Sequence, residues 1–344
     1  MNVRTPVAAA VTLAMSFGFA AAHDLTVVTR GGPMQEATKD LFARPFTSAT
    51  TIAVQDESWE GGIDAVRTQA KASDNAWDLV LVDGDELATG CSENLFEKLD
   101  WSTIGGKDHY LPQAVSDCGV GAGVANLVLA WDRDKFPGAP GWGEFWDVAK
   151  YPGKRGLSHG VRGNLEVALI ADGVSPGDVY KVLSTSEGVD RAFRKLDQLK
   201  PYVVWWQDGS EAAHILASGD VLMSSAPSAR IAAVNRTEHR NFGMQWNASL
   251  YEVQSWAITK GSQNLRQATQ FLYFVGTPAI QARLVGLFGE GGWAKGANDG
   301  LAPETAPLSP TLPANLNAAV RADTAFWHDN LAKLHQRFDT WLAH

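Results

Sequence analysis

The sequence has only two cysteines in 344 residues, too few for a disulfide-built scaffold. No run of Lys and Arg stands out and the formal net charge is -9, so the electrostatic footprint of a nucleic-acid binder is missing and no such partner is expected. The eight histidines are scattered, without His-x-Glu-x-x-His or His-x-His spacing, and there is no Cys-x-x-Cys. Neither a metal nor any other cofactor is expected. The Gly-x-Ser-x-Gly spacing occurs once, at Gly156-Leu157-Ser158-His159-Gly160, and alone does not make a nucleophile elbow. A secreted hydrolase on an α/β scaffold would need a triad or metal constellation that these residues do not assemble, so the chain is not expected to be an enzyme. Beyond the N-terminal segment no uninterrupted apolar stretch is long enough to span a bilayer.

What is present begins at the N-terminus. Arg4, the apolar stretch from Val7 through Phe19, and Ala20-Ala21-Ala22 have the three-part form of a secretory signal. Residues 1–22 are expected to be cleaved before His23, leaving a periplasmic protein. The competing membrane anchor would need about 20 apolar residues, and this run is shorter. An oxidising compartment permits a disulfide, and Cys91 and Cys118, 27 positions apart, are expected to form one. Such a loop would contribute about 3–4 kcal/mol in the chain-entropy model. The alternative is two buried thiols.

The mature segment alternates between strand and helix patterns. Asp24–Thr29 reads as a strand broken by Arg30-Gly31-Gly32-Pro33, with a helix following over Gln35–Phe42. Thr51–Val54 and Trp77–Val82 are further strands, separated by a helix over Ile63–Ala72. This order predicts a largely parallel sheet with both faces covered, and ligands beyond the carboxyl ends of the strands. Arg30-Gly31-Gly32 and Asp83-Gly84-Asp85 occupy such ends. The DGD run is expected to be a turn rather than a cation site. A second alternation runs from Gly156 to about Arg230, with helices at 165–171 and 189–199, and a strand over Tyr251–Ile258 returns towards the first unit. Thirteen tryptophans supply either core volume or flat walls for a ligand.

Several segments in order resemble the extracellular solute-binding proteins of ABC importers, in the spermidine/putrescine-binding branch. They are Val28-Thr-Arg-Gly-Gly-Pro-Met-Gln35, Trp77-Asp-Leu-Val-Leu-Val-Asp-Gly-Asp85, Gly90-Cys-Ser-Glu-Asn-Leu-Phe-Glu-Lys-Leu-Asp100 and Phe145-Trp-Asp-Val-Ala-Lys-Tyr-Pro-Gly-Lys-Arg155. Further on come Ala168–Val174, Trp205-Trp206, Leu216–Asp220 and Ser255-Trp-Ala-Ile-Thr-Lys-Gly261. The resemblance implies a two-lobed α/β periplasmic-binding-protein fold of type II with the ligand cleft between the lobes. Lobe 1 would take residues 23–127 and 258–305, and lobe 2 residues 128–257 and 306–344. It also implies a monomer that clamps a small organic solute and docks transiently on an ABC permease in the inner membrane. A solute-sensing adaptor that presents itself to a receptor is the alternative partner arrangement.

The departures from the polyamine binders bear on the ligand. Where those relatives begin the cleft with an aromatic box, this chain has Arg30, Gly31 and Gly32. Their glutamate falls near Arg162 and Gly163, their aspartate on Gln254, and their tryptophan near Pro227, followed by Ser228 and Arg230. An ammonium stripped of water and of those carboxylates would lose several kcal/mol, whereas a guanidinium grips a carboxylate through two hydrogen bonds. The expected solute therefore bears a carboxylate, and an aromatic one stays open. Candidate walls are Trp59, Trp206, Trp246 and Trp256, and if Trp205 and Trp206 lie on a strand only one can face the cleft. Asp83, Gly84 and Asp85 keep an amino acid open as ligand. A polyamine would need more acids, for which Glu57, Glu211 and Glu252 are available.

Overall fold

The computed structural model describes residues 24–344, apart from Gly32, Ser73 and Asp74. The expected signal segment and the assignment of Gly32 to the cleft lie outside the described residues.

Nine strands make one sheet among the described residues: β1 (Leu25–Thr29), β2 (Val54–Ser58), β3 (Leu79–Val82), β4 (Val120–Asp132), β5 (Arg155–Ser158), β6 (Val203–Trp206), β7 (Met223–Pro227), β8 (Phe242–Ile258) and β9 (Val320–Arg321). Their order is β2-β1-β3-β8-β4-β7-β5-β6, and β9 pairs with β8. The apolar runs of β1 and β3 are buried throughout, because helices cover both faces of the sheet. One face packs Leu25, Val27, Leu79 and Leu81 against Phe42, Phe46 and Phe271. The other packs Val28, Val80 and Val82 against Trp59, Trp77 and Phe96. The sheet is mixed rather than largely parallel, since β8 runs antiparallel to β3 and β4, and β4 antiparallel to β7.

The two long strands divide the molecule. From Val120 to Leu127, β4 pairs with the second part of β8, Leu250–Trp256; from Leu129 to Asp132 it pairs with Phe242–Gln245. Residues 246–249 of β8 therefore bulge opposite Val128. Within that bulge Ala248 adopts φ 57°, a left-handed conformation that costs a non-glycine residue energy. Its carbonyl accepts a hydrogen bond from Trp142 Nε1 at 2.9 Å, which ties the bulge to the second core. On one side of the crossing lie β1, β2 and β3; on the other, β5, β6 and β7 carry their own cores around Phe145, Leu165 and Trp327 and around Trp206 and Phe242.

Local differences from the sequence reading have physical causes. Thr51 is the left-handed C-cap of the Arg44–Thr50 helix, which moves the second strand on to Val54. Asp83-Gly84-Asp85 is no free turn: Asp83 caps the helix Gly84–Ser92, and the Asp83 N–H donates to Glu86 Oε2 at 2.9 Å. Cys91, near the end of that helix, forms the expected disulfide with Cys118, just before β4. It ties the acidic strand end of one unit to the start of a crossing strand.

Candidate functional site

The carboxyl ends of β1 and β3 face those of β5, β6 and β7 across the crossing, as the rule for open α/β sheets requires. Two adjoining cavities fill the gap. The larger, about 500 Å³, is lined by Arg30, Gly31, Gln254 and Glu290 from one side and Ser228 and Arg230 from the other. The smaller, about 280 Å³, is lined by Ser158, Arg162, Gly163, Trp206, Leu250 and Glu252. Ala125, Asn126 and Pro227 belong to both, so the two are compartments of one cleft.

The acidic strand end is wired by two arginines. Arg30 Nη2 lies 2.6 Å from Glu86 Oε2 and 2.9 Å from Asp83 Oδ2, and its guanidinium sits 5.2 Å over the Trp59 ring. Burial pulls the Arg30 pKa down, but the Asp83 and Glu86 charges overcome this and hold it above the usual arginine value. Glu86 also accepts from the Gly62 N–H, and Gln254 Nε2 donates to Asp83 at 3.1 Å. From the opposite side Arg162 Nη1 reaches Glu252 at 3.3 Å, its Nη2 lies 3.8 Å from Asp85, and the guanidinium lies over Trp327. The Gly84 N–H donates to the other Glu252 oxygen at 3.2 Å. Burial, with the charges of Asp83 and Asp85, raises the Glu252 pKa to about 7 against the pull of Arg162.

Arg162 is positioned by its neighbours. Gly163 at φ 88° opens the helix Asn164–Ala171, a conformation glycine adopts freely, and its N–H donates to Glu166. Glu166 is buried and also accepts from Tyr180 and from Trp327 Nε1, which fixes the indole beneath Arg162. Even so, among the described residues Arg162 Nε and Nη2 have no hydrogen-bond partner, and neither do the buried atoms Trp206 Nε1, Ser158 Oγ and Asn126 Oδ1 of the same compartment.

The larger compartment differs in leaving charged groups without ion pairs. Arg230, half-buried near the start of the helix Ser228–Thr237, makes no hydrogen bond or ion pair among the described residues. Glu290 Oε2 is buried with no hydrogen-bond partner among the described residues. Burial pushes the Glu290 pKa up to about 7, while a Val124 backbone hydrogen bond and the charge of Arg230 pull the other way.

The structure thus brings together Arg30, Gly31, Asp83, Gly84, Arg162, Gly163, Trp206, Ser228, Arg230 and Gln254 around the gap. It places three tryptophans elsewhere. Trp256, in register with Leu81, is buried against Phe271 in the sheet core. Trp59 packs edge-on to Trp77 and meets the site only through Arg30. Trp246, at the start of the bulge, packs on the cluster around Trp206 and lines neither compartment. Of the adjacent pair, Trp206 lines the smaller compartment, while Trp205 packs on Phe338 and Trp341. Among the reserve acids, Glu57 accepts from Trp77 Nε1 and Glu211 from the Gln207 N–H, and neither lines the cleft. Glu290 escaped the sequence reading, although Gly289-Glu290-Gly291-Gly292 is a signal for close backbone packing around one acid.

A family model described as bacterial extracellular solute-binding protein matches residues 42–314. The chain belongs to that family. The gamma-aminobutyric acid-binding protein of Pseudomonas aeruginosa is 40% identical over 325 residues, covering 94% of this chain and 92% of that one. Among solved structures, the Atu4243-GABA receptor has a TM-score of 0.81 at 27% identity, covering 93% of this chain and 98% of its own. An ABC transporter substrate-binding protein from Bradyrhizobium japonicum has a TM-score of 0.81 at 30% identity, covering 93% and 99%. The fold is therefore the two-lobed one of periplasmic binding proteins, and the chain is the solute-binding component of an ABC transporter.

Proposed function

We propose that this protein captures a small zwitterionic ω-amino acid, γ-aminobutyrate being the leading candidate, in the periplasm and delivers it to a permease without altering it. One observation carries the ligand assignment: Arg230, free of ion-pair partners, shares a cavity with Glu290, whose buried carboxyl also lacks one. The ligand carboxylate pairs with the Arg230 guanidinium, and the ammonium takes up the Glu290 carboxylate. Each group would otherwise stay buried and unpaired, which is costly, so a ligand carrying both charges gains more than one carrying either. The name and 40% identity of the Pseudomonas aeruginosa relative support the choice of γ-aminobutyrate. Binding draws the two sheet halves together about the crossing at Leu127 and Leu250. The packing of Tyr251, Val253 and Trp256 in the first core supports a second crossing at Leu250 rather than at 257, so the expected lobes of 23–127 with 258–305 and 128–257 with 306–344 become 23–127 with 251–305 and 128–250 with 306–344.

Membership of the spermidine/putrescine branch is the second reading. The cluster of Asp83, Asp85, Glu86 and Glu252 at one strand end favours it. A thermal-shift and calorimetric panel of γ-aminobutyrate, 5-aminovalerate, butyrate, butylamine and putrescine on refolded, ligand-stripped protein decides between them. A melting-temperature rise confined to the ω-amino acids is expected. A rise with putrescine alone would replace the zwitterion by a polyamine.

A further inference from the structure

Two arginines serve four carboxyl groups at the acidic strand end, and they divide them cleanly. Arg30 belongs to the same unit as its partners and takes Asp83 and Glu86. Arg162 comes from the facing unit, ahead of the Asn164–Ala171 helix, and takes Asp85 and Glu252 across the gap. The two couples are not equally good. Arg30 makes a 2.6 Å charged hydrogen bond, a 2.9 Å ion pair and a stacking contact on Trp59. Arg162 makes one 3.3 Å bond, one 3.8 Å approach through Nη2 and a 5.6 Å contact over Trp327, and among the described residues its buried Nε and Nη2 have no hydrogen-bond partner.

A guanidinium held this poorly contributes little as a fastener, because buried ion pairs repay desolvation only when their hydrogen bonds are complete. What Arg162 does supply is positive charge at a place where Asp85 and Glu252 would otherwise form an open cation receptor. The adjoining compartment has the form such a receptor needs for an alkyl amine. Leu127, Pro227, Leu250 and Trp206 wall it with apolar surface, and Glu252 lines it too, while Asp85 lies beyond the lining on the far side of Arg162 Nη2 at 3.8 Å. A chain of methylenes would lie along those walls with an ammonium at the carboxylates.

We infer that Arg162 is a specificity-determining residue: a built-in cation that occupies an amine site formed by Asp85 and Glu252 and so shuts aliphatic diamines out of the cleft. This rests on the zwitterion reading of the larger compartment, where the ligand ammonium meets Glu290 instead. The exclusion is twofold. An incoming ammonium finds its carboxylates already paired, and it also meets a like charge at a half-buried site, a repulsive element that discriminates between ligands without touching the preferred one. The raised pKa of Glu252 agrees with this, since one arginine at 3.3 Å does not offset burial beside Asp83 and Asp85.

The test is a gain of binding. Full-length mature Arg162→Gln protein, its fold checked by circular dichroism and a cooperative melt, is titrated calorimetrically with putrescine beside wild type. An affinity gain of at least about 100-fold over wild type is expected, and Glu252→Gln in the same chain should cancel it. A folded Arg162→Gln protein with no gain overturns the inference, as does a gain that Glu252→Gln leaves intact. Loss of γ-aminobutyrate binding in Arg162→Gln without any putrescine gain would make Arg162 the carboxylate receptor, and would overturn it too. Should Arg162→Gln fail to fold, Ser158→Asp decides. It places a carboxylate in the same compartment as the unpaired Arg162 nitrogens, and putrescine should again bind more tightly than to wild type. Wild-type binding of γ-aminobutyrate tests the zwitterion reading separately, so either idea can fail while the other stands.

Discussion

The two compartments contain the same pair of residue types in opposite states. In the smaller one Arg162 and Glu252 already hold each other at 3.3 Å; in the larger one Arg230 and Glu290 share a cavity without an ion pair to either. The first couple consumes its own charge and acts as a wall. The second leaves its charge for a solute and acts as a receptor. Residue identity alone does not separate these roles. What separates them is whether a complementary group lies within about 4 Å once desolvation has been incurred.

The comparison can be broken most directly at Arg230. Arg230→Ala should weaken γ-aminobutyrate binding by about 100-fold or more, since it leaves a carboxylate buried and unpaired. An unchanged calorimetric affinity would remove Arg230 from the receptor. Glu290→Gln should cost about tenfold, because a neutral amide still accepts a hydrogen bond from the ammonium but loses its charge.

The third effect concerns pH. Glu290 has a folded pKa of about 7, above its ordinary value of 4.5. Below about pH 7 the empty site holds a proton that an arriving ammonium expels. Affinity should therefore rise by several-fold from pH 5.5 to 8, and binding enthalpy at pH 6.5 should depend on the buffer's ionisation enthalpy. Flat affinity and buffer-independent heats would show that no carboxyl changes state.

The smallest effect is on stability and has the opposite sign. The native state retains a proton between pH 4.5 and 7 that the unfolded chain has released, so stability from this group falls as pH rises through that window. Glu290→Gln should raise the ligand-free melting temperature at pH 8 by about 2–4 °C and leave it unchanged at pH 4.5. Equal shifts at both pH values would detach the effect from ionisation.

Much of the cleft's position was legible in the sequence, because apolar β1 and β3 end at Arg30 and Asp83, and strand ends in this architecture carry ligands. The arginine excess where polyamine binders have acids was legible too. Which arginine is free was not. Arg30 and Arg230 look alike in one dimension, yet Arg30 meets Glu86 across 56 positions, whereas Arg230 forms no ion pair among the described residues and acts on Asp208 and Glu290 only through its charge. The Gly84–Ser92 helix was obscured by its two glycines, although the Asp83–Glu86 capping pair was there to be read. Trp256 shows the limit of counting aromatics: strand register buries it under Leu81, two positions past Gln254, which lines the cleft.

The crossing strands also bear on how the chain reaches this state. Val120 must find Trp256 before β4 has its main partner, and the same two strands supply the middle of the sheet to both units. The first unit cannot complete its sheet from a contiguous piece of chain, because β3 pairs with β8, which follows only after the strands of the second unit. Contacts of such long sequence separation make folding slow, and an unfinished half would present open strand edges to its neighbours. The structure therefore favours one cooperative melting transition over two, and heating should lose β4–β8 amide protection in both units at the same temperature.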